Sequence, residues 1–133
     1  MNNNFKKVLH NKELENRIEI IESFVDFTYN LHKNDVYHKD YSAGNTLILK
    51  NLDSSFTFSI VDINRMEFKE VDIYMGLDNF AKLWLDEDDL IIIAKRYAIL
   101  ANIDENKAIE ILKKSDKKLK DFVKFKRNIR GKK

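Results

Sequence analysis

Apolar positions along the chain change their spacing several times, and each change marks an element. From Lys12 to Lys33 they fall at Leu14, Ile18, Ile21, Val25 and Leu31, with Phe24 and Phe27 widening the stripe. Recurrence every three to four residues predicts a helix with a broad buried face. Lys33-Asn34-Asp35 supplies turn residues, and Val36-Tyr37-His38 reads as a short strand leading into a loop over Lys39–Gly44. Thr46–Lys50 and Phe56–Val61 read as strands joined by the turn residues Asn51–Ser55, a hairpin. In the second of them Phe56, Phe58 and Ile60 alternate with Thr57 and Ser59, so one face is covered and the other more polar.

After Asp62 helical spacing returns. Leu77, Phe80, Ala81 and Trp84 mark a helix over Leu77–Leu85. Asp86-Glu87-Asp88-Asp89 opens the next one with the charge sign favoured at an N-terminus, and its apolar stripe runs from Leu90 to Ala101. Asp104 is placed to cap a last helix carrying Ala108, Ile109, Leu112, Leu119, Phe122 and Val123 on one side. The expected fold is α+β and mostly helical. Its order is helix, short strand with a polar loop, β-hairpin, three helices. Residues 1–13 are polar and unpatterned and are expected to form an extension outside the domain. The domain itself spans 14–130, and 131–133 form a basic end.

Composition narrows the chemistry. The 133 residues suit one domain, and 44% are hydrophobic, enough for a core. There is no cysteine, which excludes disulfides and thiolate–metal sites. With no cysteine a reducing cytoplasm is the expected compartment, and the longest apolar run, Leu90 to Ala94, is too short to span a membrane. Gly44, Gly76 and Gly131 lie too far apart to build a glycine-rich phosphate loop. The net charge of +2 hides an asymmetry. Lys113 to Lys133 carry eleven Lys or Arg against Asp116 and Asp121, a net of +9, and the preceding residues carry a net of −7. Such a basic end invites an anionic partner, or is simply solvated with its cations near a helix C-terminus.

The candidate chemistry sits in His38-Lys39-Asp40-Tyr41-Ser42-Ala43-Gly44-Asn45 and Val61-Asp62-Ile63-Asn64-Arg65. The first has the His-x-Asp-x-x-x-x-Asn spacing of a kinase catalytic loop, and the second ends an apolar strand with a single acid. Phosphoryl transfer needs a group to orient the acceptor hydroxyl and hard oxygen ligands to hold Mg²⁺ on the phosphates. Asp40 meets the first need, and Asn45 and Asp62 meet the second. The intervening hairpin returns both ends to one edge.

With Thr46-Leu47-Ile48 and Ile60 through Phe68 added, these runs resemble the C-terminal lobe of the bacterial lipopolysaccharide kinase family, the Kdo and core-heptose kinases. The Asp-Ile-Asn-Arg-Met-x-Phe segment from Asp62 to Phe68 carries that resemblance. It implies ATP- and Mg²⁺-dependent phosphorylation of a sugar hydroxyl of a glycolipid at the cytoplasmic face of the inner membrane. In that reading Asp40 is the catalytic base, Asn45 and Asp62 bind Mg²⁺, and His38 braces the loop by bonding backbone near Asp62. Arg65 pairs with a nearby carboxylate or phosphate, or is an ordinary surface residue, and Lys39 is a loop residue of open role. The resemblance covers a C-lobe alone. Only 35 residues precede the catalytic-loop strand, so the nucleotide-binding N-lobe is expected to be absent. Exposed apolar surface would then favour a partner lobe or self-association. The alternative is a non-catalytic kinase remnant that binds a partner. His10, His32 and His38 share no metal-ligand spacing, and nucleic acid is not an expected partner.

Overall fold

The structure is a computed structural model that describes residues 2–131. It is α+β and mostly helical. Three helices carry most of the helical residues: α2 (Arg17–Lys33), α4 (Glu87–Ala101) and α5 (Glu105–Gly131). Before them come a short strand β1 (Asn2–Asn4) and a one-turn helix α1 (Phe5–Leu9). Between α2 and α4 lie β2 (Val36–His38), β3 (Thr46–Lys50), β4 (Phe56–Ile60), β5 (Met66–Phe68) and the short helix α3 (Ile73–Asp78). No helix among the described residues is long and apolar enough to cross a membrane.

Two small antiparallel sheets frame the loop. β3 and β4 form the expected hairpin, with Thr46 opposite Ile60 and Lys50 opposite Phe56. β2 pairs with β5, setting Val36 against Phe68 and His38 against Met66. The sequence pattern does not show β5, because three residues are too few to display alternation.

The expectation for residues 1–13 needs correction. Residues 2–9 do not form an outlying extension: β1 adds to the edge of β3, with Asn4 opposite Leu47, and Phe5 and Leu9 are fully buried. Asn4 caps α1, its side chain accepting from the Lys6 amide at 2.8 Å. A one-turn helix shows only one i, i+4 pair, and asparagine is a poor strand former, so neither leaves a readable pattern. The pairing comes from the partner strand. Arg17 ties this segment down further. Its Nε donates to the Leu9 carbonyl at 2.8 Å, and its two terminal nitrogens meet Asp89 of α4 at 2.8 and 2.5 Å, all out of solvent. The geometry is a two-pronged fork that satisfies both buried charges.

The helix boundaries follow their end residues. Asp72, Asp86 and Asp104 each accept a backbone N–H of the first turn of the helix they precede. Asn102 ends α4 in the left-handed region at φ 55°, with the Ile103 amide returning to Ala98. The segment expected as one helix over Leu77–Leu85 is shorter and tighter: α3 passes into a 3₁₀ turn over Asn79–Leu83 and stops at Trp84, whose φ is 59°.

The core is aromatic and lies beneath the loop. Phe24 of α2 is at its centre, with ring centroids 4.4 Å from Phe5, 5.3 Å from Phe58 and 5.4 Å from Tyr41. Phe80 and Tyr97 extend the cluster toward α4, 5.7 Å apart. Rings of this kind contribute both apolar burial and edge-to-face contacts, so the cluster is a stiff platform for what sits above it.

Candidate functional site

The loop from Lys39 to Asn45 is held from below by Tyr41. Its ring is buried and stacks on Phe24, and its hydroxyl meets Thr28 Oγ1 at 2.5 Å. Burial raises the Tyr41 pKa far above the ordinary tyrosine range, so the phenol stays neutral. One inward residue thus leaves its neighbours Lys39 and Asp40 pointing to solvent, where both are exposed.

His38 organises the rest. The Asp40 amide donates to His38 Nδ1 at 3.1 Å, which makes Nδ1 the acceptor and places the proton on Nε2. Nε2–H then donates to the Asp62 carbonyl at 3.0 Å. A single buried imidazole therefore fixes the backbone at both Asp40 and Asp62. Asp62 itself is in the left-handed region, φ 64° and ψ 57°. That conformation is uncommon for a residue with a Cβ and easiest for Asp or Asn. It is held because its carbonyl also accepts from the Arg65 amide at 3.1 Å.

The two arms of the site meet where the hairpin closes. The Val61 amide donates to the Asn45 carbonyl at 2.9 Å, so Asn45 lies across from the residue before Asp62. Asn45 Nδ2 donates to the Asp40 carbonyl at 3.2 Å and to its Oδ2 at 3.3 Å. That use of the amide nitrogen leaves Oδ1 uncommitted. The Asp62 carboxylate is partly exposed, with Arg65 Nε no closer than 4.0 Å. Asp40, Asn45 and Asp62 are thus linked by direct or one-residue hydrogen bonds. Arg65 also accepts the Lys39 amide on its carbonyl at 2.8 Å. Lys39 Nζ faces Glu67 at 3.6 Å, a solvent-exposed pairing worth little.

Four residues that the motif did not single out support this arrangement. Asn79 is 1% exposed, and its Nδ2 donates to the His38 carbonyl at 3.0 Å. Its Oδ1 must then accept from His32 Nε2, also at 3.0 Å, and His32 Nδ1 accepts from the Tyr97 hydroxyl at 3.0 Å. The series Tyr97–His32–Asn79–His38–Asp62 is a continuous set of donors, each with an acceptor, buried from Tyr97 to His38. Burial lowers the His32 pKa below the ordinary imidazole value, which keeps it neutral in this chain. Gly76 is the fourth. A Cβ there would lie 2.0 Å from the Tyr97 hydroxyl and 3.1 Å from His32 Nδ1, so only glycine leaves room for that bond. His32 reads from sequence as a partly buried polar residue. Its partners lie 47 and 65 residues away, and no local signal marks them.

Two surfaces border the loop. A groove of about 300 Å³ opens beside Ser42, Ala43 and Gly44, with Lys6, His10 and Lys82 around it and Trp84 in its wall. Lys82 also donates to the Lys39 carbonyl. On the other side Val61 and Ile63, which flank Asp62 in the chain, are 42 and 73% exposed. Among the described residues no cluster of three or more His, Cys, Asp or Glu could hold a metal. A set of two carboxylates and one amide is not of that kind. Asn45 Oδ1 and the Asp62 carboxylate are oxygen donors of the hard kind.

No family model, curated protein or solved structure matches the chain.

Proposed function

We propose that the loop His38–Asn45 and Asp62 form a phosphoryl-transfer centre of the kinase C-lobe type, acting on a sugar hydroxyl, and that another lobe completes its nucleotide site. The observation that carries this reading is the His38 bridge. One imidazole positions Asp40 and Asp62 together, and Asn45 is bonded to the first and adjacent to the second. The resemblance to lipopolysaccharide kinases adds the substrate class, a glycolipid sugar.

Bound Mg²⁺–ATP would supply the transferable γ-phosphoryl group and neutralise its charge. The chain's own residues do the rest. Asp40 would accept a hydrogen bond from the acceptor hydroxyl and take its proton as that oxygen bonds to the γ-phosphorus and the bond to the ADP oxygen breaks. Asn45 Oδ1 and an Asp62 carboxylate oxygen would be the hard donors for the cation. His38, Asn79 and His32 keep these groups in place before substrate arrives, which is where positioning contributes most to rate. Trp84, Lys82 and Lys6 beside the loop offer a stacking face and positive charge to an acidic sugar. The exposed Val61 and Ile63 on either side of Asp62 support completion by a second lobe, since apolar surface next to a site favours an interaction.

Paramagnetic broadening by Mn²⁺ tests the centre. Added Mn²⁺ should broaden amide resonances around Asn45 and Asp62 first, and Asp62→Asn should remove the effect there. Broadening confined to the acidic turn Asp86–Asp89 would overturn the assignment. The chain alone should show no rise in melting temperature with Mg²⁺–ATP. A clear rise that is lost in Asp62→Asn would mean that no second lobe is needed.

A further inference from the structure

Helix α5 changes character along its length. Ala108 and Leu112 are buried, and Lys120 still reaches the body, donating to the Leu85 carbonyl at 2.6 Å. From Asp121 to Arg130 every residue except Val123 is exposed. Within this stretch Phe122, Phe125 and Ile129 are 53, 61 and 57% exposed. At the turn angle of an α-helix they share a sector about 60° wide. Lys126 flanks them, its Nζ 5.1 Å above the Phe122 ring.

The same face continues toward the start of the helix. Ile111, Lys114 and Lys118 line an open groove of about 570 Å³ against Tyr74 of α3, with Lys107 in the wall. Asp78 and Glu110 line it too, and Glu110 is paired with Lys114 at 3.1 Å. From Lys107 to Ile129 this face is about 33 Å long at the helical rise per residue.

Charge decides what could cover it. Between Lys113 and Arg130 nine Lys or Arg face two acids, Asp116 and Asp121. Pairing two copies through this face would press the two cationic helices together, at a cost in repulsion. An uncharged apolar partner would remove water from the lysines and return nothing. Nucleic acid would meet the cations, but Ile129 offers no ring for a base to stack on. An anionic lipid surface satisfies both halves, with phosphates for the lysines and the acyl boundary for the rings.

We propose that α5, along the face from Lys107 to Ile129, docks on an anionic lipid surface. Phe122, Phe125 and Ile129 enter the headgroup–acyl boundary, and Lys107, Lys114, Lys118 and Lys126, which lie on or beside the same face, meet lipid phosphates. This surface is argued without reference to the catalytic reading, and either can fail alone.

Flotation of the full chain with vesicles tests it, comparing phosphatidylcholine with phosphatidylcholine–phosphatidylglycerol mixtures. Binding should be on the order of a hundredfold tighter to the anionic vesicles and weaken with added salt, as several basic residues near a charged surface require. Changing Phe122, Phe125 and Ile129 together to Ser should weaken it by on the order of a hundredfold from the lost apolar transfer. All three side chains are exposed, so the helix content and melting temperature of this variant should match the parent. Because the chain has no cysteine, Phe125→Cys carries a single polarity-sensitive dye, whose emission should shift to the blue on anionic vesicles only. Equal affinity for both vesicle types, or undiminished binding by the Ser variant, overturns the proposal. So does a dimer in sedimentation that the Ser changes abolish, or binding of single-stranded DNA in preference to anionic vesicles.

Discussion

The underside and the upper side of the loop at His38–Asn45 are built on opposite terms. Beneath it, Tyr41, Thr28, His38, Asn79, His32 and Tyr97 are buried or nearly so, and each polar group has a partner. Above it, Asp40, Asn45 and Asp62 are exposed or half-exposed, with oxygen atoms left uncommitted. The difference separates two costs. Paired groups below stabilise one loop geometry, and the unpaired oxygens above are kept for a ligand. If this division is real, substitutions below should cost stability and substitutions above should not.

The largest effect is expected from Gly76→Ala. Its Cβ would collide with the Tyr97 hydroxyl and break the bond to His32, a loss of about 3–5 kcal/mol by chemical denaturation. Adding Tyr97→Phe, which removes the colliding oxygen, should restore part of that loss in a double-mutant cycle. Additive losses would mean that the crowding lies elsewhere. Asn79→Ala comes next, at about 2–4 kcal/mol, because it strands a buried donor on His32 and a buried carbonyl on His38. It should also raise hydrogen exchange at Asp40 and Asn45. Unchanged exchange in the loop would show that Asn79 stabilises the body without positioning the site.

A smaller effect is spread over pH. His32 has a folded pKa below that of the unfolded chain, so the folded state resists protonation. Its contribution is complete at neutral pH. It is lost as pH falls below about 6.5 toward the depressed folded value. Denaturation midpoints between neutral and acidic pH should decline less steeply in His32→Gln than in the parent. Parallel declines would assign the acid sensitivity to other groups. The smallest effects belong above the loop. Asp40→Asn and Asp62→Asn should each alter stability by no more than about 0.5 kcal/mol, the second helped by the ease with which asparagine adopts positive φ. A loss of several kcal/mol at either would place that carboxylate in the supporting network.

How much of this was legible in the sequence differs by region for physical reasons. The helices over Arg17–Lys33 and Glu87–Ala101 and the β3–β4 hairpin could be read because their periodicities extend over several turns or repeats. Asp40, Asn45 and Asp62 could be picked out because their spacing fits one loop and one hairpin. Hidden from the pattern were β1 and α1, where Phe5 and Leu9 are apolar positions too few to define a period. Asn79, Tyr97 and Gly76 were hidden for a different reason. Each looks ordinary in its own helix or turn, and its role exists only once α3 and α4 pack beside α2. Long-range hydrogen bonds between common residue types leave no local trace.

The buried series ends, at the side far from Asp62, in the Tyr97 hydroxyl. Every other member has its polarity dictated: an amide, two imidazoles whose neighbours choose their tautomers, and backbone carbonyls. The hydroxyl alone can rotate and exchange giving for receiving. A proton arriving on His32 Nδ1 can therefore be met by turning one O–H bond, with no reversal needed at Asn79 or His38. The series is wired so that its adjustable joint lies in the aromatic core and its fixed end at Asp62.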